Sequence, residues 1–182
     1  MITISGRAQI TFTLPTAVTT AFHFYQDIHR ILPYLPRIQL VQVHGAQHLR
    51  LCYLSRELNA YDVAIYCDVQ TEVDPANYII RLTPWEAGLP VKAKSTFHGT
   101  EAYGRYSSTS IFYADGDRTR LEYALELSAE LPKPWATKLV PDSIMDGIAN
   151  SITNHRIHEI ASGFIMKSAL DIPAWATQNG NG

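Results

Sequence analysis

The apolar positions of this chain change period several times, and each change marks an element. From Arg7 to Leu14 they alternate strictly: Ala8, Ile10, Phe12 and Leu14 fall on one face, Arg7, Gln9, Thr11 and Thr13 on the other. A period of two is the mark of a half-buried β-strand. The period then lengthens. Ala17, Ala21 and Phe24 recur at helical spacing behind Pro15-Thr16, with Thr16 as N-cap candidate, and a second short helix is predicted from Asp27 to Leu32. In Leu32-Pro33-Tyr34-Leu35-Pro36 two prolines remove backbone donors and fix φ, so this run predicts a rigid corner.

Period two returns beyond the corner. Strands are predicted at Ile38–Val43 and His48–Leu58, joined through Gly45-Ala46. In the next strand Val63, Ile65, Cys67 and Val69 point inward, and Asp62, Tyr66, Asp68 and Gln70 outward. Asp74-Pro75-Ala76-Asn77 reads as a turn, followed by a strand at Tyr78–Thr83, a loop from Pro84 to Pro90 and a strand at Ala93–Thr100. Asp115-Gly116 is the favoured pair for a type I′ hairpin tip. With that tip, Ser110 faces Leu121, Ser108 faces Tyr123, Tyr106 faces Leu125 and Arg105 meets Glu126. The side carrying Leu121, Tyr123 and Leu125 is the apolar one, so Tyr106, Ser108 and Ser110 are expected inside.

A long helix is expected from Pro141, with Asp142 in its first turn. Ile144, Ile148 and Ile152 form a stripe, and at 100° per residue His155 falls within about 20° of Ile144, hence toward the sheet. Farther on the apolar face passes to Ile157, Ile160 and Phe164. The predicted class is α+β: a curved antiparallel sheet of about six or seven strands around one long C-terminal helix, with two short helices after the first strand. One domain is expected over residues 1–182, with 1–5 and 176–182 flexible.

The stretch Leu14-Pro15-Thr16-Ala17-Val18, then Phe22 to Asp27, then Leu32-Pro33-Tyr34-Leu35-Pro36-Arg37-Ile38 resembles the opening of the helix-grip superfamily. That superfamily includes START lipid-transfer domains, the birch-pollen allergen and the polyketide cyclase/dehydrase proteins. The C-terminal third is similar to a branch found in oxygenic phototrophs. Its shared features are the strand Leu121–Leu131, then Pro132-Lys133-Pro134, Leu139-Val140-Pro141, and a helix carrying Ile152, His158 and Ser162. The resemblance implies a cavity enclosed by sheet and helix. It leaves the activity open, because carriers, receptors and cyclases share this scaffold.

Composition narrows the function classes. Charged residues make up 18% of the chain and net charge is -2, with the 15 Lys and Arg scattered, so no nucleic-acid partner is expected. No apolar run approaches the roughly 20 residues of a membrane span. Cys52 and Cys67 lie in strands with no secretory signal ahead, which predicts reduced thiols and a cytoplasmic location. His155, His158 and Glu159 lack the His-Glu-x-x-His spacing, and no metal or other cofactor is expected. Ser107 to Ser110 has no partner histidine at a readable spacing and no nucleophile elbow.

The expected function is therefore to bind or carry a hydrophobic small molecule: a lipid, isoprenoid, pigment or aromatic compound. Tyr106, Ser108, Ser110, Tyr123 and His155 are the polar candidates of the site, and Phe12, Ile65, Cys67, Leu125 and Ile148 its walls. One alternative is a cyclase- or dehydratase-type enzyme in which a tyrosine or histidine moves protons. The other is an interaction module whose cavity is filled by aromatics. Trp85, Trp135 and Trp175 sit beside prolines, where they either pack under loops or reach a membrane interface or protein partner.

Overall fold

In a computed structural model, residues 1–57, 61–86, 91–133 and 141–179 are described. They form β1 (Ile2–Leu14), α1 (Val18–Tyr25), α2 (Ile28–Ile31) running into a 3₁₀ turn (Leu32–Tyr34), β2 (Ile38–Val43), β3 (His48–Glu57), β4 (Tyr61–Asp74), β5 (Ile79–Pro84), β6 (Lys94–Ser95), β7 (Gly99–Asp115), β8 (Arg118–Leu131) and α3 (Asp142–Asn179). Seven strands follow the order β1-β8-β7-β5-β4-β3-β2, and β6 pairs with β7. The sheet grips α3, as the patterning predicts.

One ladder is parallel where an antiparallel sheet is expected: Asp62–Tyr66 of β4 runs alongside Gly99–Tyr103 of β7. The cause is the shortness of β5, which pairs antiparallel with both neighbours and stops at Pro84. Beyond it, β4 and β7 close on each other, and two strands each antiparallel to a third are parallel to one another. The predicted strand at Ala93–Thr100 is interrupted for the same closure. Thr96 instead caps a tight turn by accepting from the backbone N–H groups of His98 and Gly99.

Several local expectations shift. The hairpin tip is Gly116-Asp117, with Asp115 opposite Arg118 and φ of +64° at Gly116, so glycine takes the first central position as a type II′ turn requires. Ser110 therefore faces Tyr123, Ser108 faces Leu125 and Tyr106 faces Leu127. A two-residue slip keeps every side chain on its predicted face. Arg105 now lies opposite Ser128 and pairs with Glu86. At α1 the N-cap is Ala17, while the carbonyl of Thr16 accepts from Thr119 Oγ1 at 2.7 Å. Asp74 does form the predicted turn, accepting from the N–H groups of Ala76 and Asn77.

Regular structure reaches from Ile2 to Asn179. Ile2 and Ile4 continue the alternation of β1 and are buried, opposite Leu131 and Ala129. Helix α3 continues to Asn179, anchored by buried Ile172 and by Trp175 against the Phe24 ring at 5.5 Å. Leu58, residues 87–90, residues 134–140 with Trp135, and residues 180–182 lie outside the described residues.

Two devices set α3 on the sheet. Its closest approach is at Gly6, where a Cβ would meet Ile157 Cγ1 at 2.9 Å and Thr153 Cγ2 at 3.0 Å. Only a residue without a side chain fits there. Along the outer edge of β1, Asp146, Asn150 and Asn154 accept from the backbone N–H groups of Thr3, Ser5 and Arg7 at 3.2, 2.7 and 3.4 Å. Edge-strand donors that would otherwise face solvent are thus satisfied by one face of the helix.

Candidate ligand cavity

Gly6 divides the space under the helix into two halves. Toward the C-terminal end of α3 the grip is filled. Phe22 and Tyr25 from α1 meet Phe112 at ring separations of 5.7 and 5.4 Å, and Tyr25 and Tyr123 close on Phe164 at 5.6 and 5.0 Å. The hydroxyls of Tyr106 and Tyr123 hydrogen-bond to each other at 3.3 Å, and burial pushes both phenols above their ordinary pKa. The void beside Tyr106, Cys67 and Ile160 measures about 10 Å³, room for one water at most.

Most of the sequence-predicted site lies in this filled half. Tyr106, Ser108, Ser110, Tyr123, Ile65, Cys67 and Leu125 are all buried on the inner face, and Phe12 is half-buried beside them. Burial raises the Cys67 thiol to about 12 and the Cys52 thiol to about 11, which leaves both protonated and inert. His155 is exposed, against expectation. The buried stripe of α3 runs through Thr153, Ile157, Ile160, Phe164, Ser168 and Ile172, and His155 stands about 200° from Thr153 around the axis. Ile144 and Ile148, which set the predicted phase, are themselves half exposed, so the phase was taken from the rim of the contact.

Toward the N-terminal end of α3 the grip is hollow. A cavity of about 310 Å³ opens between Ile2 and Ile4 of β1, Leu131 at the end of β8, Val63 of β4, and Met145, Ile148, Ala149 and Ile152 of the helix. Of the ten predicted site residues, Ile148 alone lines it. Phe97 of the β6–β7 turn stands at the rim and is 71% exposed.

One wall of this cavity is polar. Tyr53, Ser55 and Glu57 continue the inward alternation of Leu49 and Leu51 along β3. Ser55 Oγ donates to Glu57, and both Glu57 carboxylate oxygens accept from Arg156, Nε at 3.2 Å and Nη2 at 3.3 Å. Arg156 also donates to Glu159 at 2.9 Å, which accepts from Arg37 at 3.1 and 3.2 Å. Partial desolvation works against the Glu159 anion, yet the hydrogen bonds from Arg156 and Arg37 hold its carboxyl below the usual range. The signal for this wall was available in the sequence: three polar residues occupy alternate positions on a face that begins Leu49, Leu51.

The opposite face of the sheet holds a separate polar pin. Asp68, expected in solvent, is 1% exposed. It accepts both Arg50 Nε and Nη2 at 2.7 Å and the Tyr103 hydroxyl at 3.3 Å, while Trp85 stacks on His48 at 4.3 Å beside it. Outward position and exposure come apart here because Arg50, Tyr103 and His44 gather on the carboxylate. Among the described residues no cluster of three or more His, Cys, Asp or Glu could hold a metal ion.

No protein-family model and no curated protein sequence matches the chain. Solved structures do. The chain is similar to the Zhui aromatase/cyclase from Streptomyces sp. R1128, at TM-score 0.62 and 10% identity over 98% of this chain and 99% of that one. A conserved protein from Geobacillus kaustophilus gives 0.56 and 11%, covering 94% and 96%. Human STARD10 gives 0.51 and 11%, covering 95% of this chain and 66% of its own. At such identities the likeness is one of fold. The protein has the helix-grip fold of the START and polyketide-cyclase type, and among its described residues no helix is long and apolar enough to cross a membrane.

Proposed function

We propose that the protein binds or carries a hydrophobic small molecule in the cavity under the first turns of α3. The observation that carries this reading is the hollow itself: about 310 Å³ between aliphatic walls and one polar wall, on the same sheet face that elsewhere closes on its helix down to a void of about 10 Å³. Unfilled apolar space forfeits dispersion contacts and costs stability in proportion to its volume. A chain that plugs one half of its grip with Phe22, Tyr25 and Phe164 and leaves the other open gains those contacts back from a guest. The volume lies at the low end of ligand pockets, about 300–1,000 Å³. It suits a single ring system or a short isoprenoid better than a two-chain lipid.

In this reading Tyr106, Tyr123, Ser108, Ser110, Ile65, Cys67, Leu125 and Phe12 form the packed floor that gives the cavity its shape. Ile148, Ala149, Ile152, Val63 and Leu131 touch the guest. Exposed Phe97, Ile144 and Ile148 around the mouth support loading from an apolar surface such as a membrane. Free, buried Cys52 and Cys67 are compatible with a reducing compartment such as the cytoplasm.

The test is titration with N-phenyl-1-naphthylamine, a neutral dye whose fluorescence rises in apolar surroundings. The wild-type protein is expected to bind it with one site, and Ala149→Trp, which fills the cavity from the helix side, to lose at least about tenfold in affinity while unfolding at a similar urea concentration. Equal binding by the variant would place the dye elsewhere and overturn the reading. A ligand recovered chemically altered after incubation would move the protein to the enzyme class.

A further inference from the structure

The four aliphatic hydroxyl groups around the cavity share an orientation, while the two phenols of its wall turn to other hydroxyls, Tyr53 to Ser55 and Tyr61 to Ser95 at 3.1 Å. Ser55 Oγ donates to Glu57, Thr96 Oγ1 to the Gly99 carbonyl at 3.2 Å, Thr100 Oγ1 to the Lys94 carbonyl at 3.1 Å, and Thr153 Oγ1 to the Ala149 carbonyl at 2.8 Å. Each has one hydrogen, and each points it into the protein. A hydroxyl so engaged has only lone pairs left to offer, and Thr96, which also accepts from His98 and Gly99, has none to spare.

The charged groups follow the same rule. Arg156, the cation behind the Glu57 wall, is held by Glu57 through two nitrogens and by Glu159 through the third. The Glu57 carboxylate, at the cavity wall, accepts three of the roughly four hydrogen bonds such a group can take. One acceptor position remains, beside Ser55 and the Tyr53 hydroxyl that meets it.

From this we infer that the ligand is a neutral molecule bearing a hydroxyl donor, an alcohol or phenol, bound with that O–H directed at Ser55 and Glu57. The inference rests on the carrier reading above and narrows it. A fatty acid or phosphorylated lipid would set its anion against the Glu57 carboxylate, with the Ser55, Thr100 and Thr153 hydrogens turned away and the guanidinium already engaged on both of its partners. An ether or hydrocarbon of equal size would leave the Glu57 position without a donor. An alcohol supplies the missing hydrogen and joins the network without displacing Arg156. The apolar wall of Ile2, Ile4, Leu131 and Ile152 then takes the rest of the molecule.

The experiment compares four probes of matched size by displacement of N-phenyl-1-naphthylamine: decan-1-ol, decanoate, decylammonium and 1-methoxynonane. Decan-1-ol is expected to bind at least about tenfold more tightly than the ether and the carboxylate, the ratio that one hydrogen bond to a charged group supplies. The ether isolates the hydroxyl donor, and decylammonium separates donor chemistry from charge, since a preference for the amine over the alcohol would overturn the neutral class. Ser55→Ala and Glu57→Gln should each bring the alcohol down to the ether. Ser55→Ala leaves the Arg156 pair in place and so keeps the test intact should Glu57→Gln fail to fold. Equal binding of all four probes to the wild-type protein would overturn the alcohol class and leave the carrier reading standing. Failure of every probe to displace the bound dye would overturn the inference and locate the dye outside this cavity. Failure of the dye itself to bind would overturn the carrier reading and this inference with it.

Discussion

The two halves of the grip are built from the same sheet face and the same helix, yet one is solid and the other hollow. The difference lies in what reaches the space between them. At the C-terminal end of α3, the short α1 inserts Phe22, Phe24 and Tyr25 between sheet and helix, and Phe164 and Tyr123 complete an aromatic plug. At the N-terminal end no such element intervenes among the described residues, and α3 offers Ala149, Thr153 and half-exposed isoleucines across a gap. Aromatic residues on a pocket-forming sheet are therefore no guide to where the pocket lies; here they mark where it has been filled.

The contrast breaks most visibly under truncation. Phe164→Ala in the solid half should destabilise by about 3–5 kcal/mol, read as a shift in the urea midpoint. Ile152→Ala at the cavity wall should cost about 1 kcal/mol, since it already borders empty space. Equal losses would mean that the two halves are packed alike.

Next in size is the pinch between them. Gly6→Ala pushes a methyl against Ile157 and Thr153, and overpacking of this kind costs about 1–3 kcal/mol. The displaced helix should also widen the hollow, so N-phenyl-1-naphthylamine affinity is expected to change while that of an unrelated surface variant does not. Close behind comes Arg156→Met, which leaves Glu57 and Glu159 without their shared cation. With side chains 22% and 16% exposed for Arg156 and Glu57, a loss of about 2 kcal/mol is expected in a urea titration, below the range for fully buried pairs.

The smallest effect concerns pH. Glu159 has a folded-state pKa held below its ordinary 4.5, so its contribution is complete above that value and disappears as pH falls through the depressed one. Its side chain is 38% exposed, which limits the effect to under about 1 kcal/mol. Between pH 6 and pH 3 the wild-type protein should lose slightly more stability than Glu159→Gln. Parallel curves would show that the salt-bridge chain does not distinguish the charged form.

Much of this architecture was legible because alternation survives local error. The Gly116-Asp117 tip displaces the predicted hairpin by two residues, and two is the one small shift that preserves faces; Tyr106, Ser108, Ser110 and Tyr123 are inward regardless. Helices give no such protection. Reading the phase of α3 from Ile144 and Ile148 turned His155 toward the sheet, whereas a helix resting on a hollow carries its isoleucines at the rim. The polar wall of Tyr53, Ser55 and Glu57 was passed over because an inward glutamate makes sense only with its partner, and Arg156 lies 99 residues away. Asp68 escaped for the same reason: what gathers on it is the Arg50 pair, Tyr103 and His44, all set by tertiary contacts.

The row of side chains from α3 along the edge of β1 behaves as a vernier. Four helical residues advance about 6.0 Å, and two strand residues about 6.8 Å, so successive rungs fall out of step by roughly 0.8 Å. The middle rung, Asn150 on Ser5, is the shortest at 2.7 Å, and the outer two lengthen to 3.2 and 3.4 Å. Three rungs are about what such a mismatch allows. Were the first turns of α3 to lift, these edge amides would lose their acceptors. The helix thus hides a strand edge, and any variant that loosened these three rungs would expose backbone donors able to pair with another chain.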